Sequence, residues 1–222
     1  MKIYKEIIQG SDEWKEIRWG KIGGSSLEKV MANEGKPVEN NAIFFEVLAQ
    51  KCEEFDPFEE NRTTFDMMRG NEYEPLAAEE FERVTGKACS IVGWIECDDN
   101  FTGISPDRLI GKNEALEIKC PSRNVYAKYL TNKGLILTDY CWQIIQYFNV
   151  IENLEVLNFF IYRPENNLKP FILLKITKDT EIQVDKKRTA KVSELVIDAK
   201  ARICELENAI DEKMHELNES NF

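Results

Sequence analysis

Residues 103–121 read Gly-Ile-Ser-Pro-Asp-Arg-Leu-Ile-Gly-Lys-Asn-Glu-Ala-Leu-Glu-Ile-Lys-Cys-Pro. One carboxylate, Asp107, directly follows a proline, and a second carboxylate and a lysine, Glu117 and Lys119, alternate within a short apolar run. Successive side chains of a strand point to opposite faces, so Glu117 and Lys119 are expected to share a face while Leu116 and Ile118 enter the core. Paired carboxylates can hold a hard divalent cation through oxygen, and a lysine beside them can polarise or orient a water. That set suits hydrolysis of a phosphodiester. The same residues also suit the exposed face of an antiparallel hairpin with ordinary turn chemistry.

Other segments must deliver partners to this run. A helix is predicted over 64–85, with Met67, Met68, Leu76, Ala77, Phe81 and Val84 as its buried stripe and Glu72, Glu74, Glu79, Glu80 and Glu82 along it. It can supply a third carboxylate, although the residues alone leave Glu72 and Glu74 equivalent. Ile118 can add its backbone carbonyl between the two strand residues. An amphipathic helix is predicted over 140–151, where Gln143 and Tyr147 stand one turn apart with Gln146 beside them. Polar groups on such an apolar helix need partners if buried, whether substrate, a water at a metal or the neighbouring sheet.

Upstream, Ser11 is the expected N-cap of a first helix over 11–19, with Trp14 and Ile17 on one face. Gly23 and Gly24 break the chain, and Ser25 and Glu28 stand at capping-box spacing at the head of a second helix. Backbone N–H groups there can hold a phosphate or carboxylate, or merely cap. A helix over 40–53 buries Ile43, Phe44, Val47 and Leu48, and the acidic, proline-bearing stretch 52–64 reads as a loop. Strands at 90–97, 101–105, 109–110 and 115–119 read as an antiparallel meander. A helical stretch begins at 125–129, strands follow at 156–162 and 171–177, and 178–218 reads as one or two long helices with charges on most faces.

The chain has 222 residues, 43% of them hydrophobic, which is enough for one domain: a core over about 11–177 and a helical C-terminal extension over about 178–218. No run of about 18 apolar residues occurs, and the opening Met-Lys-Ile-Tyr-Lys-Glu lacks a secretory apolar stretch, so no membrane contact and a cytoplasmic location are expected. Six scattered cysteines without a CxxC pair and a lone His215 argue against structural zinc. The cysteines are expected to serve as small core hydrophobes, without disulfides. A net charge of -11 argues against coating nucleic acid by bulk positive potential. Phosphate contact then falls to local cations: Arg18 with Lys21, Lys112 with Lys119 and Arg123, Lys128 with Lys133, and Lys186, Lys187 and Arg188.

In order along the chain, Arg18-Trp-Gly-Lys-Ile-Gly-Gly-Ser25, Arg69-Gly-Asn-Glu-Tyr-Glu74, Ser105-Pro-Asp107, Leu116-Glu-Ile-Lys-Cys-Pro121 and Trp142-Gln-Ile-Ile-Gln-Tyr147 resemble the phage lambda exonuclease-like (YqaJ-type viral recombinase) branch of the PD-(D/E)xK nucleases. RecB-type nuclease domains belong to the same group. The resemblance runs from Arg18 to about Tyr162 and implies an α/β restriction-endonuclease-like core: a mixed, mostly antiparallel sheet flanked by helices, with the metal site at one sheet edge. It implies that Asp107 and Glu117 bind Mg2+ or Mn2+, with two ions in the site, and that Lys119 assists the attacking water. It also selects Glu74 over Glu72 as the helix carboxylate. Gln143 with Tyr147 resembles the Gln-x-x-x-Tyr element of the RecB-type branch, with the glutamine beside the site. By the same matching, Arg18 and Ser25 hold a substrate phosphate, including a 5'-phosphate end, for which a guanidinium fork is suited.

The implied activity is 5'-to-3' exonuclease digestion of linear double-stranded DNA, leaving 3' single strands for phage-type recombination in the host cytoplasm. A toroidal homotrimer and a single-strand annealing protein as partner come with it. Two departures stand out: Arg108 follows Asp107 where many relatives carry glycine, and the acidic segment 52–60 has no counterpart in the pattern. The rival readings are an endonuclease of the same superfamily, acting in restriction or repair, and an inactive scaffold whose C-terminal helix binds a partner. A scaffold would be marked by a lost ligand, yet Glu74, Asp107, Glu117 and Lys119 are all present. Alanine at Asp107 or Glu117 is expected to cost cleavage and little folding, since each removes a cation ligand rather than core volume.

Overall fold

The structure, a computed structural model, describes residues 1–33, 35–57 and 65–219, with the backbone alone for 65–67. The second half of the acidic segment, the helix start expected at Thr64 and the Met67 side chain lie outside the described residues. Chain order runs β1 (Lys2–Tyr4), α1 (Asp12–Ile17), α2 (Leu27–Met31), a 3-10 turn at Val38–Asn40, α3 (Ala42–Cys52), α4 (Phe65–Thr85), β2 (Trp94–Glu96), β3 (Gly103–Ile104), β4 (Arg108–Ile110) and β5 (Glu114–Lys119). It continues through α5 (Arg123–Thr131), α6 (Gly134–Asp139), α7 (Cys141–Val150), β6 (Val156–Tyr162), β7 (Phe171–Ile176), β8 (Glu181–Gln183), β9 (Thr189–Lys191) and α8 (Val192–Glu219).

The main sheet has the order β4-β5-β6-β7. Gly111, at φ +60°, turns the chain between β4 and β5, a conformation that a residue without Cβ adopts at no steric cost. β5 and β6 pair in parallel, with Glu117 opposite Phe159, and the other two ladders are antiparallel. A parallel pair cannot be joined by a tight turn, so the chain crosses over through α5, α6 and α7 before returning as β6. β6, Val-Leu-Asn-Phe-Phe-Ile-Tyr, is buried on both faces, which is why it is apolar at every position but Asn158 rather than alternating.

The two faces meet different layers. On one side Ala115, Leu157, Phe159 and Ile161 join the large core built with α2, α3, α7 and α8. On the other, Ile110, Leu116, Ile118 and Phe160 pack with Ala77, Ala78 and Phe81 of α4. A second sheet, β1-β2-β3, is antiparallel, and the Trp94 indole lies where a Cβ on Gly103 would be 2.1 Å from its Cζ2. No helix of the described residues is long and apolar enough to cross a membrane.

Several expectations are corrected. The meander is split: β2 and β3 belong to one sheet and β4 and β5 to another, joined by the bridge from Ser90 to Leu109. β1 was not expected, since three residues carry no readable period. The capping box fails because Ser26 Oγ turns back to Gly23, accepting from its N–H at 2.8 Å, and α2 begins only at Leu27. In α4, Ala77 and Phe81 are buried but Met68 is 60% exposed and Leu76 and Val84 also face outward, because the helix covers only a narrow strip of sheet. α7 is not half-solvated: Gln146 and Asn149 are buried along with its apolar residues, since α8 closes the side expected to face water. Cys141 is buried, whereas Cys52 and Cys204 are exposed.

The stretch after 178 is not wholly helical. Asp185 Oδ1 accepts from the N–H groups of Lys187 at 2.6 Å and Arg188 at 2.9 Å, and this turn closes the β8–β9 hairpin. α8 follows with Val192, Leu195, Ala199, Ile203, Leu206 and Ile210 buried in one stripe against α7, α2 and α3. Such a stripe is core and not a solvated tail. Leu206→Ala is therefore expected to lower unfolding free energy by about 3 kcal/mol, as for a fully buried leucine. Ile197→Ala, on the opposite face at 69% exposure, should cost under about 0.5 kcal/mol. Urea titrations followed by circular dichroism compare the two; equal small effects would mean that α8 does not contribute to the core.

Candidate active site

The β4–β5 register sets Arg108 opposite Leu116, which brings Asp107 across from Glu117. Asp107 Oδ2 accepts the Ile118 N–H at 2.6 Å, fixing the carboxylate to the neighbouring strand. Glu117 points to the α7 side and is 2% exposed. A buried charge needs partners, and Glu117 has them on both oxygens. Lys119 Nζ lies 2.6 Å from Oε1, Gln143 Nε2 donates to the same oxygen at 2.6 Å, and Tyr147 OH donates to Oε2. Lys119 is held from its other side by the Tyr140 ring, 5.3 Å from the ammonium.

The electrostatics follow from burial and proximity. Burial raises the Asp107 carboxyl well above the usual carboxylate range, and the nearby Glu117 charge raises it further. Burial pulls Lys119 down, but Glu117 and Asp107 outweigh it and the net shift is upward, so Lys119 is a cation at neutral pH. Burial, followed by the Glu117 charge, likewise keeps the Tyr147 phenol protonated. The Glu117 charge opposes ionisation of Asp107, a repulsion that a divalent cation between the two would relieve, and an all-oxygen donor set suits a hard ion.

Glu74 reaches the region from α4, on the opposite face of the sheet. Its Oε1 accepts from Arg108 Nη1 at 2.7 Å, and the same nitrogen donates to the Asp107 carbonyl. Glu74, Asp107, Ile118 and Lys119 line one cleft of about 460 Å³ with Tyr140, yet among the described residues no three acidic, cysteine or histidine side chains gather closely enough to hold an ion. Pro75, next to Glu74 inside α4, has no N–H for the Asn71 carbonyl, and Asn71 lines the same cleft.

Arg18 and Ser25 line a separate hollow of about 320 Å³ with Lys15, Lys21 and Lys29. The Arg18 guanidinium stacks 3.8 Å from the Trp14 ring centre, and Trp14 is itself pinned by Nε1 donating to Ser105 Oγ at 2.7 Å. The Gly23-Gly24 loop joins the two places: a Cβ on Gly24 would lie 3.6 Å from Gln143 Cγ, and Gln143 holds Glu117. Gln146 faces elsewhere, donating to Ile22 O and Gly103 O at 3.1 Å each, and so ties α7 to the smaller sheet. Sequence reasoning missed Tyr140, although 140, 143 and 147 share one helical face. It also missed Arg108 as a partner of Glu74, for which the sequence holds no local signal.

The fold is similar to that of alkaline exonuclease structures. An alkaline exonuclease (LHK-Exo) from Laribacter hongkongensis superposes with a TM-score of 0.75 at 20% identity, over 94% of this chain and 96% of that one. The same enzyme in complex with dAMP gives 0.73 at 21% identity, over 93% and 96%. A phage-related exonuclease from Haemophilus somnus gives 0.62 at 14% identity, over 89% and 96%. Residues 13–152 match the YqaJ-like viral recombinase domain, and the chain belongs to that family. No curated protein sequence matches it.

Two consequences are measurable without any substrate. Because Glu117 is knit into the core by Lys119, Gln143 and Tyr147, its loss would leave a half-buried ammonium and two further donors without their acceptor. Glu117→Ala should cost about 3 kcal/mol of stability in chemical denaturation, with part of the loss restored by adding Lys119→Met. Asp107 binds its proton more tightly in the folded than in the unfolded chain, so its contribution to stability is present below about pH 4 and lost as pH rises through the folded pKa. Asp107→Asn should thus gain melting temperature over the parent as pH rises from about 4 to 8, with chelator present and scans at each pH.

Proposed function

We propose that this protein is a divalent-cation-dependent DNA exonuclease of phage recombination, digesting linear double-stranded DNA from 5' to 3' and leaving 3' single strands. The observation that carries the reading is the alternation of Glu117 and Lys119 across from Asp107, buttressed by Gln143 and Tyr147, on a fold shared with alkaline exonucleases. The dAMP complex of LHK-Exo supports a nucleotide monophosphate as product. Membership of a viral recombinase family supports a role beside a single-strand annealing protein, in a host cytoplasm. We include in the same reading a homotrimer that encircles DNA.

Asp107, Glu117, the Ile118 carbonyl and Glu74 would hold one or two Mg2+ or Mn2+ ions. The ion supplies charge stabilisation at the attacked phosphate and a more acidic water. Every other part is protein. Lys119, held against the Glu117 carboxylate, positions an attacking oxygen and offsets negative charge. Gln143 and Tyr147 hold Glu117 in one orientation, so the reacting geometry is prepared before substrate arrives. Arg18, immobilised on Trp14, and Ser25 receive the terminal 5'-phosphate through a guanidinium fork and a hydroxyl.

Linear duplex with one 5'-phosphate and separately labelled strands, incubated with Mg2+, should lose the phosphorylated strand from its 5' end, and chelator should stop the loss. Asp107→Asn is expected to reduce the rate at least about a hundred-fold, as removal of a charge-stabilising group at the reacting centre does. Arg18→Ala should erase the preference for phosphorylated over hydroxyl ends. Cutting of closed circles would favour an endonuclease, and no cleavage with any divalent cation would leave a partner-binding scaffold.

A further inference from the structure

Arg108 has no task in the reaction just described, although it is the charged side chain nearest the carboxylates on the α4 side. The ladder dictates its direction. Paired with Leu116, it shares that residue's face of the sheet and points toward α4, whereas Glu117 and Lys119 point toward α7. Its Nη1 then spans two oxygens: Oε1 of Glu74 at 2.7 Å and the main-chain carbonyl of Asp107. The pair is sheltered, with the Arg108 side chain 13% exposed and that of Glu74 31%. One nitrogen thus joins the helix carboxylate to the residue that carries the strand carboxylate.

We propose that Arg108 is an internal counter-ion for Glu74 that competes with a divalent cation: while the pair is closed, Glu74 is withheld from Asp107 and Glu117, and an ion recruits it only by displacing the guanidinium. The inference rests on the metal-dependent reading above. It accounts for the absence of a gathered acidic group among the described residues even though the three carboxylates lie on elements that converge on one region. The competition is relieved by cation concentration. A protein whose binding-competent arrangement is only partly populated shows a weakened apparent affinity in proportion, which makes Arg108 a positioning residue that sets the cation level needed for a full ligand set.

Mn2+ binding to the full chain, read from the electron paramagnetic resonance of free Mn2+, tests this without any turnover. Arg108→Ala and Arg108→Gln, the second keeping a donor in place, should each bind Mn2+ about three- to ten-fold more tightly than the parent. In a Glu74→Gln background the gain should vanish, because the competitor then has nothing to withhold. A gain that persists in that background would reflect only the loss of a positive charge and would overturn the inference. So would unchanged or weaker binding in both Arg108 variants. Asp107→Asn separates the two readings: if it binds Mn2+ like the parent, the metal site itself falls and the inference with it. If Asp107→Asn loses binding while the Arg108 variants match the parent, the inference falls alone.

Discussion

A carboxylate that is almost wholly withdrawn from water governs this structure. Three donors from β5 and α7 meet the Glu117 carboxylate: Lys119 from two residues away, and Gln143 and Tyr147 from the crossover helix. Each bond in such a set guards against the penalty of an unpaired buried charge, which exceeds the net gain of an ordinary hydrogen bond. The parallel pairing of β5 and β6 serves this set, since the crossover that it requires carries α7 over the strand face.

The strand period explains the rest of the cleft. Residues of β5 alternate between an α7 side, which carries Ala115, Glu117 and Lys119, and an α4 side, which carries Glu114, Leu116 and Ile118, so carboxylates on different elements reach the cleft from opposite directions. Asp107 belongs to the first side and Glu74 to the second. Arg108 pairs with Glu74 and Lys119 with Glu117, so each of these carboxylates has a basic partner of its own.

Much of this was legible because the signals are local. Asp107 after a proline, the alternation of Glu117 and Lys119, the Ser11 cap and the strand over 156–162 each depend on neighbours within a few residues. Gln143 and Tyr147 were readable as polar positions on an apolar helix, though their common partner was not. What stayed hidden depends on distant groups. α7 reads as amphipathic because Gln143 and Gln146 are polar, but Gln146 is buried toward the smaller sheet, where it bonds to Ile22 and Gly103, and Asn149 bonds to Gln146. The β8–β9 hairpin hid inside a charged run, with Asp185 as its one turn signal. Met68 and Leu76 are apolar yet exposed, because the width of the sheet, which no helix period encodes, limits how much of α4 it can cover.

The crossover has an outcome in time as well as in space. During synthesis Asp107, Glu117 and Lys119 leave the ribosome before the donors of α7, and β6, which seals their strand, follows later still. Until that segment emerges, the short β4–β5 hairpin has neither the flanking strand nor the helix that would hold its charged side chains in place. The packed arrangement around Glu117 therefore comes into being only when most of the polypeptide exists, so a truncated nascent chain carries these charged residues without the contacts that hold them in place.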